Sequence, residues 1–450
     1  MSNKEHFGSK IGAIAALAGS AIGLGNIWKF PYLTGENGGA AFILIYIACI
    51  CFIGIPIMLA EFSIGRRGGK DVYGTFKTLA PKTKWCAFSI ITVCTSAIIL
   101  SYYGTIAGWT MHYMCISFTD AFQNATPASI EQLFTEFTSN PYHPIIWQVL
   151  FMTITAAVIL GGVKNGIERS SKVMMPILFI ILIVLCFRSL TINEHSIDGL
   201  AFLFKPNLDV VSAKTVLAAM GQAFFSLSVG MGVIMTYGAY VKKNENIHQM
   251  AYQVVISDTA VAILAGIAIL PATFAFGMAP NAGPGLVFLT LPQVFAQMPL
   301  GQFWSFIFFL LLVLAALTSS ISLLEVTVSY LINELKMKRV IATIITTAVI
   351  TIVGVFTTLA FGPLKDITLF GMNIFDIMDF TASNILLPLG GILICYFAGW
   401  VLGKDSLRDE ITNGNKLKIT LFGFYFFIMR YIAPVVVILL MLNGLGVFNS

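Results

Sequence analysis

Charged side chains are scarce in this chain of 450 residues, where they make up 10% of the sequence against 57% hydrophobic residues. Soluble domains carry about 25% charged residues, and no water-soluble packing hides so much apolar surface. The composition therefore excludes an ordinary soluble domain. It predicts that lipid is the solvent for most of the chain.

Disulfide, catalytic and leader patterns are also missing. The seven cysteines lie in or beside apolar runs without a C-x-x-C spacing, which predicts packing residues and no disulfide framework. The five histidines form no catalytic set with serine or a carboxylate, and no metal-ligand motif is present. An intramembrane enzyme is therefore the least favoured alternative, and no organic cofactor is expected. No signal-peptide cleavage pattern follows the first apolar run, which starts near Ile11.

Long apolar runs are what the sequence has in abundance. About 20 apolar residues cross a ~30 Å hydrocarbon layer as a helix, and eleven runs are long enough. They predict an all-α integral membrane protein with eleven transmembrane helices in one domain, residues 1–450. Their approximate bounds are 11–32, 40–64, 86–118, 144–161, 172–190, 213–240, 250–278, 301–332, 340–360, 376–402 and 419–444.

Basic residues alternate between the loops. Of the 26 lysines and arginines, 20 fall on the side that holds the N-terminus, which the positive-inside rule makes cytoplasmic. The sequence thus predicts a multi-pass protein of the cell (inner) membrane, with the N-terminus in the cytoplasm and the C-terminus outside. These loop positions account for the net charge of +5, so nucleic acid is not expected as a partner.

Glycines interrupt two of the runs near their centres. Gly19, Gly23 and Gly25 lie in the first run, and Gly230 and Gly232 lie in the sixth. Each glycine costs a helix about 1 kcal/mol relative to alanine. Close packing through small residues is one explanation; the other is a broken helix whose free carbonyls bind something at mid-membrane.

Interruptions in corresponding halves are typical of a transporter binding site. They predict an inverted five-plus-five repeat with broken helices 1 and 6. The first repeat would span about 11–190 and the second about 213–402, followed by an extra helix at about 419–444.

Ionisable groups inside the predicted spans need a partner, water or an ion, because a charge at mid-membrane is costly. Asp258 is interpreted as an ion ligand, with a structural hydrogen bond as the alternative. Glu61 and Glu325 are expected to pair with backbone groups or cytoplasmic bases. Thr318 and Ser319 either bond to their own helix or join free carbonyls around a hard cation such as sodium.

A family resemblance rests on the stretch GSAIGLGNIWKFPY at residues 19–32, followed by ENGG at 36–39. These stretches closely resemble the first-helix signature of the neurotransmitter:sodium symporters. Further matches follow in family order at 54–56, 61–62, 102–103, 222–232, 318–320 and 376–380. The resemblance implies a LeuT-like fold of the bacterial eleven-helix branch, and sodium-coupled import of an amino acid by alternating access.

The resemblance also implies two sodium sites and a substrate pocket. The first site would combine the substrate carboxylate with Ala21, Asn26, Ser226 and Asp258. The second would use the carbonyls of Gly19, Ile22 and Ala315 and the hydroxyls of Thr318 and Ser319. The pocket would be lined by Ser20, Ala21, Gly23, Gly25, Ile99, Tyr103, Phe225, Ser226, Ser228, Met231, Ser319 and Leu323.

Substrate preference follows from the same comparison. Monoamine carriers of the family place aspartate where this chain has Gly23, which leaves room for a substrate with its own carboxylate. The wall formed by Ile99, Phe225, Met231 and Leu323 suits a hydrophobic or aromatic side chain. The expected partners are thus an amino acid, sodium and membrane lipid, while the oligomeric state stays open.

Chloride independence is predicted from one substitution. The positions that match the chloride site of animal members are Tyr46, Gln222, Ser226, Asp258 and Ala262. Asp258 supplies a fixed negative charge where those carriers have asparagine. A channel or a substrate sensor on the same fold remains the alternative to a carrier.

Gates are implied as well. Lys29 and Asp379 match the outer ion pair, with Phe225 and Tyr103 as a lid. Lys4, Phe7 and Tyr240 match the inner latch. The usual acidic partner of that latch is replaced by Asn333, with Glu334 as a substitute, and Gly166 and Pro176 match a motif for unwinding span 5.

Overall fold

The fold is known from a computed structural model that describes residues 5–122, 125–278 and 286–447. In this part of the chain, nine helices are long and apolar enough to cross a membrane. They are Ala40–Gly68, Trp85–Ile116, His143–Leu160, Val163–Leu190, Ile247–Ala275, Gly301–Asn333, Arg339–Leu359, Ile374–Leu402 and Phe422–Gly444.

Two further predicted spans are interrupted. The first consists of Lys10–Ala21 and Gly25–Glu36, which meet at an angle of 49°. The sixth consists of Ala213–Ser226 and Val233–Tyr240. With the nine continuous helices they are consistent with the eleven predicted spans, and we number them 1 to 11 in chain order. The end of the bundle near Lys10 is called the N-terminal side, and the opposite end the far side.

Span 5 begins at Val163, nine residues before its predicted start at 172. The prediction was wrong here because Lys164, Arg169 and Lys172 were taken as loop residues. In the structure, Glu168 accepts a hydrogen bond from Lys172 Nζ at 2.6 Å, one helical turn away. The ion pair lets the charged turn continue the helix.

The break in span 1 lies at residues 22–24. Ile22 has extended backbone angles (φ −75°, ψ 104°), and the Gly23 N–H donates to Asn26 Oδ1 at 3.1 Å. In an unbroken helix that N–H would donate to the carbonyl of Gly19. Gly19 itself stays helical: an added Cβ would lie 3.3 Å from Thr318 Cβ, so this glycine serves close packing.

The break in span 6 lies at residues 227–232. Gly230 and Gly232 have φ values of +88° and +79°, and Ser228 has a φ of +53°. Glycine adopts this left-handed region without the steric cost of a side chain. The sequence prediction of two broken helices is thus confirmed.

The long helices pack in two groups. Spans 3, 4, 8 and 9 contact one another, and spans 1, 2, 6 and 7 form a second group beside them. Spans 10 and 11 pack together at the edge. Short connecting helices lie at Val72–Leu79, Pro127–Ser139, Ser196–Phe204, Thr290–Ala296 and Lys404–Ile411. The division into two sequence repeats stays a prediction.

Candidate functional site

The two helix breaks face each other at the centre of the protein. Ser228 Oγ, in the break of span 6, donates to the carbonyl of Ser20 at 2.9 Å. Gln222 Nε2 donates to the carbonyl of Gly25 at 2.8 Å. Side chains of span 6 therefore satisfy part of the free backbone of span 1, while other carbonyls at the breaks stay available as ligands.

A first oxygen cluster surrounds Asp258. Its carboxylate accepts hydrogen bonds from Ser226 Oγ at 2.7 and 2.8 Å and from Asn26 Nδ2 at 2.7 Å. Tyr46 OH lies 3.3 Å from Asp258 Oδ2. Asp258 is 0% exposed, and none of the ion pairs in the described part of the chain involves it.

A buried carboxylate without a basic partner is costly, and a bound cation removes that cost. The neighbours of Asp258 supply oxygen atoms, which hard cations prefer as ligands. The described residues contain no group of three or more His, Cys, Asp or Glu suited to a metal ion. The carboxylate and the nearby hydroxyls are oxygen ligands of the kind that a hard cation such as sodium accepts.

A second oxygen cluster joins span 8 to the break of span 1. Thr318 Oγ1 lies 3.0 Å from the carbonyl of Ala315 and 3.2 Å from the carbonyl of Ile22. Ser319 Oγ lies 3.4 Å from the same Ile22 carbonyl. Both hydroxyls reach the Ile22 carbonyl of span 1, which they would not do if they bonded only to their own helix. The two hydroxyls and the two carbonyls therefore form one cluster. Gly19 packs directly against Thr318.

A small cavity of about 30 Å³ lies beside these clusters. All twelve residues predicted to line the substrate pocket line it, together with Leu24. The N–H of Leu24 donates to Tyr103 OH at 3.2 Å, so a backbone amide and a hydroxyl meet at one end. Sequence reasoning missed Leu24 because only its backbone carries the polar contact.

Gly23 has no room for a side chain. An added Cβ would collide with Ser319 Oγ and lie 3.1 Å from Tyr103 OH. The absence of aspartate at this position therefore agrees with the space that the neighbours leave.

A larger cavity of about 340 Å³ lies on the far side of the small one. The two share Leu24, Gly25, Tyr103 and Phe225 as lining residues. The lid role of Phe225 and Tyr103 stays a prediction. We call the larger cavity the vestibule.

Lys29 and Asp379 both line the vestibule but form no ion pair with each other. Lys29 Nζ lies 4.6 Å from the ring centroid of Phe225. The Asp379 carboxylate instead accepts a hydrogen bond from Ser383 Oγ at 3.0 Å. The predicted outer gate is thus present as two separated partners, and its closure stays a prediction.

The N-terminal side is closed by polar and aromatic contacts. Phe7 packs edge-on against Tyr237 and Tyr240, with ring centroids 5.7 and 6.1 Å apart. Its N–H donates to the carbonyl of Tyr240 at 3.2 Å. The third predicted latch residue, Lys4, lies outside the described residues.

An ion-pair network completes this closure, and the sequence predicted only that Glu325 would pair with a base. Arg339 bonds to Glu325 at 2.8 Å and to Glu5 at 2.7 Å, and Tyr240 OH donates to Glu325 at 2.6 Å. The expected pairing of Glu325 with a base is confirmed. Glu334 pairs with Lys77 at 3.5 Å, and its predicted role as the acid of the latch stays a prediction because its partner there, Lys4, lies outside the described residues.

The second glutamate predicted to lie inside a span, Glu61, also behaves as expected. Glu61 Oε1 accepts a hydrogen bond from the backbone N–H of Gly230 at 2.6 Å. This contact holds the break of span 6 against span 2 and confirms a structural role for Glu61.

Comparisons with known proteins agree with this geometry. The family model described as "Sodium:neurotransmitter symporter family" matches residues 4–133 and 138–450. A Bacillus subtilis (strain 168) protein named "Uncharacterized sodium-dependent transporter YhdH" is 39% identical over 441 residues, which cover 98% of both chains. The mouse (Mus musculus) "Sodium-dependent neutral amino acid transporter B(0)AT2" is 24% identical over 541 residues, covering 97% of this chain and 72% of the relative.

Among solved structures, "Crystal structure of MhsT in complex with L-phenylalanine" matches with a TM-score of 0.90 and 44% sequence identity. The match covers 98% of this chain and 100% of the other. The similarity therefore extends over the whole bundle, including both breaks.

Proposed function

The chain belongs to the sodium:neurotransmitter symporter family, and from that premise we propose that it imports a hydrophobic or aromatic amino acid together with sodium. It is a multi-pass membrane protein of a sodium-dependent transporter family. We propose the cell (inner) membrane as its location, with the N-terminal side in the cytoplasm, because the basic loops lie on that side. Transport of this kind needs no organic cofactor.

The observation that carries the proposal is Asp258, a fully buried carboxylate that contacts the hydroxyls of Ser226 and Tyr46 and forms no ion pair in the described part of the chain. Sodium bound there would neutralise it, with Asn26, Ser226 and the Ala21 carbonyl as further ligands. The substrate carboxylate would occupy the remaining position. Because each charge lowers the cost of the other, substrate and sodium would bind cooperatively.

The second oxygen cluster is proposed as a second sodium site. It offers two hydroxyls and the Ile22 and Ala315 carbonyls, with the Gly19 carbonyl freed by the break. No carboxylate of the described chain joins these ligands, so the site would hold sodium weakly. A weak inner site is suited to releasing its ion to a cytoplasm of low sodium concentration.

The small cavity is proposed to bind the amino acid. The Leu24 amide and Tyr103 OH lie at the start of the second half of span 1, where the helix dipole favours a carboxylate. Ile99, Met231 and Leu323 offer an apolar wall. MhsT forms a complex with L-phenylalanine, and the mouse relative is named as a transporter of neutral amino acids, which supports the same class here.

Substrate access requires the lid to move. A free volume of about 30 Å³ has room for about two water molecules, whereas an aromatic amino acid needs several times more. Phe225 lines both this space and the 340 Å³ vestibule, so its rotation would join the two. Met231 adds adaptability, because methionine changes shape at small cost.

Alternating access is favoured over a channel by the state of the two sides. The far side holds an open vestibule, while Phe7, Tyr240, Glu325 and Arg339 close the N-terminal side. We propose that spans 1, 2, 6 and 7 rock against spans 3, 4, 8 and 9 to exchange these states. Chloride is not required in this scheme, because Asp258 supplies the negative charge.

The test is uptake of labelled phenylalanine and leucine into proteoliposomes that contain the purified protein. We expect accumulation only under an inward sodium gradient, with an increase when the interior is made negative, because each charge gains ~2.3 kcal/mol per 100 mV. Counterflow of labelled substrate separates a carrier from a sensor. Equal uptake when potassium replaces sodium would overturn the proposal.

A further inference from the structure

A single basic residue lies inside the last two spans. Arg430 is the only lysine or arginine within Ile374–Leu402 and Phe422–Gly444, which are spans 10 and 11. It lies beside Trp400, two residues before span 10 ends on the N-terminal side. A base inside a membrane span is costly, so it needs a partner. The proposed function gives this arginine no role.

No acid in the described part of the chain is that partner. None of the ion pairs there involves Arg430. The two acids within span 10, Asp376 and Asp379, line the vestibule at the opposite end of the helix. Arg430 Nε is buried and has no hydrogen-bond partner among the described residues. The charge of the guanidinium is therefore not compensated by the protein.

Aromatic rings hold this guanidinium at the outer surface of the bundle. Its Cζ lies 3.8 Å from the ring centroid of Trp400, 5.3 Å from that of Tyr431 and 5.8 Å from that of Phe426. The Trp400 and Tyr431 rings are about half exposed and meet edge to face, with centroids 5.8 Å apart. Rings attract a cation but carry no net charge, so they position the guanidinium without neutralising it.

Span 10 makes room for the arginine. An added Cβ at Gly399 would lie 3.1 Å from Arg430 Cγ, so the stem of the arginine packs closely on this glycine. Both helices are irregular at this level, with π-helical turns at Phe397–Leu402 and Ile428–Ile432. Such turns are frequent at functional sites. The two helices thus fix the place of the guanidinium together.

The loop between spans 10 and 11 favours an anion on this side. Residues 403–421 contain three acids and four bases, namely Lys404, Arg408, Lys416 and Lys418. Two of the acids, Asp409 and Glu410, are already paired with Arg67 and Arg66 of span 2. The bases of the loop therefore outnumber the acids that remain to balance them, and such a loop attracts acidic headgroups.

We propose that Arg430, Trp400 and Tyr431 form a binding site for one acidic phospholipid of the leaflet on the N-terminal side. The phosphate would accept hydrogen bonds from the guanidinium, with the Trp400 N–H and the Tyr431 OH as further donors. Arginine suits this role because its planar fork presents two N–H groups to a phosphate, and Trp and Tyr are typical of the membrane interface. A zwitterionic lipid would bring an ammonium group toward the basic loop, which favours the acidic headgroup.

The site predicts that one substitution has opposite effects in two lipids. Acidic lipid bound at Arg430 would stabilise the folded protein, because a ligand that binds only the folded state shifts the unfolding equilibrium. Without acidic headgroups the arginine would lack a counter-charge, and its removal would stabilise the protein. Arg430→Gln should therefore unfold at a higher temperature than wild type in neutral lipid and at a lower temperature in acidic lipid.

Thermal unfolding of the full-length protein in nanodiscs tests this reversal. Adding phosphatidylglycerol to phosphatidylcholine should raise the unfolding midpoint of wild type and leave that of Arg430→Gln unchanged. Arg188→Gln is the matched control: Arg188 also faces a tryptophan, with Cζ 5.6 Å from the Trp304 centroid, but donates to the Thr191 carbonyl at 3.5 Å. It should respond to phosphatidylglycerol as wild type does. Arg430→Lys, which keeps the charge without the fork, should respond weakly.

Brominated lipids, which quench nearby tryptophans, locate the contact. The chain has six tryptophans, so the signal of Trp400 is obtained as the difference that Trp400→Phe makes in each protein. Brominated phosphatidylglycerol should quench Trp400 at about tenfold lower mole fraction in wild type than in Arg430→Gln, because charge-assisted hydrogen bonds are lost. Brominated phosphatidylcholine should quench Trp400 equally in both.

Three results would overturn the proposal. The first is an equal response of wild type and Arg430→Gln to phosphatidylglycerol, in either assay. The second is a loss in Arg188→Gln as large as in Arg430→Gln, which would mean general attraction of acidic lipid without a defined site. The third is a change in the oligomeric state of Arg430→Gln that does not depend on lipid, which would mean that a second copy of the chain covers the arginine. Neither assay involves transport, so the outcome is independent of the proposed function.

Discussion

Replacing Asp258 with asparagine tests the electrostatic basis of sodium coupling. The carboxylate is 0% exposed and accepts hydrogen bonds from Asn26, Ser226 and Tyr46. Ser226 Oγ lies within hydrogen-bond distance of both carboxylate oxygens. Asp258→Asn keeps the shape of the side chain and one oxygen ligand but removes the charge. The expected result is a loss of sodium affinity while the fold is retained.

The size of the loss follows from the charge. Two unit charges about 4 Å apart attract by ~4 kcal/mol at an effective dielectric constant near 20. The variant no longer has to bury a carboxylate, which offsets roughly half of this, so ~2 kcal/mol should be lost. The apparent sodium affinity should therefore fall about thirtyfold.

Chloride should restore part of the loss. In the variant, the hydroxyls of Ser226 and Tyr46 no longer have a carboxylate to donate to, and a chloride ion nearby can accept from them. Bound chloride would then supply the negative charge that Asp258 supplies in the wild type. Wild type already carries this charge and should not respond to chloride.

The assay is sodium-dependent binding of labelled phenylalanine by the purified protein, titrated with sodium chloride and with sodium gluconate. Asp209→Asn is the control, because Asp209 is an exposed acid in the loop before span 6. If Asp258→Asn bound sodium as wild type does in gluconate, Asp258 would not be a sodium ligand. A chloride response of equal size in wild type would contradict its role as the fixed charge.

Three further predictions concern other parts of the chain. Gly23→Ala should lower phenylalanine binding at least tenfold in the same assay, because the new Cβ collides with Ser319 Oγ. Arg339→Gln should leave the buried Glu325 without its charge partner, cost roughly 3 kcal/mol of stability on the N-terminal side, and speed amide exchange at residues 5–10 in a deuterium-exchange experiment. Burial raises the pKa of the Asp71 carboxyl, which caps the Val72–Leu79 helix, from 3.8 to about 7. The folded protein holds this proton more tightly than the unfolded chain, so the thermal unfolding midpoint should decrease as the pH is raised from 4 to 7. Asp71→Asn should make the midpoint depend less on pH over this range.

Each of these has a clear contrary result. If Gly23→Ala bound phenylalanine as wild type does, the Ser319 side chain would be able to move aside, and the glycine would not be a steric requirement. Unchanged exchange at residues 5–10 in Arg339→Gln would show that the aromatic contacts alone close this side. A pH slope that survives in Asp71→Asn would assign it to another group.

The substrate cavity was predictable because its residues belong to short, strongly patterned segments. Clustered glycines identified both breaks, and the family resemblance placed distant segments in one frame, so all twelve predicted lining residues meet in one cavity. Leu24 was missed because its contribution is a backbone N–H, which side-chain identity does not report. Gly19 shows the converse limit, since a packing glycine and a helix-breaking glycine look alike in sequence.

The closure of the N-terminal side was harder to predict because it depends on distant pairings. Glu325 clearly needed a base, but Lys336, Lys338 and Arg339 stand together in one loop and sequence alone does not choose among them. The structure selects Arg339, because the start of span 9 aims its guanidinium at Glu325 and Glu5. Which base reaches Glu325 depends on the register of span 9 and on the path of the loop before it. Both depend on tertiary packing, so the local sequence does not reveal them.

Glu168 links the N-terminal segment to the start of span 5, and this contact leads to a last prediction. Its carboxylate accepts hydrogen bonds from the Gly8 N–H at 2.5 Å, from Ser9 Oγ at 2.7 Å and from Lys172 Nζ at 2.6 Å. Two of these three donors belong to the segment that carries Phe7. If that segment moves away from span 5, Glu168 loses both of these hydrogen bonds, and the turn around Gly166 loses its contact with the N-terminal segment.

The adjoining turn is already irregular. Residues Val163–Glu168 form a π-helical turn, and an added Cβ at Gly166 would collide with the Val158 carbonyl. Opening of the N-terminal side and unwinding of span 5 should therefore be one event. Such coupling would admit water toward the second oxygen cluster only when the latch is released.

Removing the Ser9 hydroxyl tests this coupling. Ser9→Ala keeps the Gly8 and Lys172 contacts with Glu168 but loses the charge-assisted hydrogen bond, and with it the N-cap that accepts from the Gly12 N–H at 3.1 Å, which should speed amide exchange at residues 163–168 about tenfold. Ser170→Ala, on the same helix, is the matched control and should exchange as wild type does. Equal exchange in Ser9→Ala and Ser170→Ala would mean that span 5 unwinds independently of the N-terminal segment, and that Gly166 and Pro176 act through the helix alone.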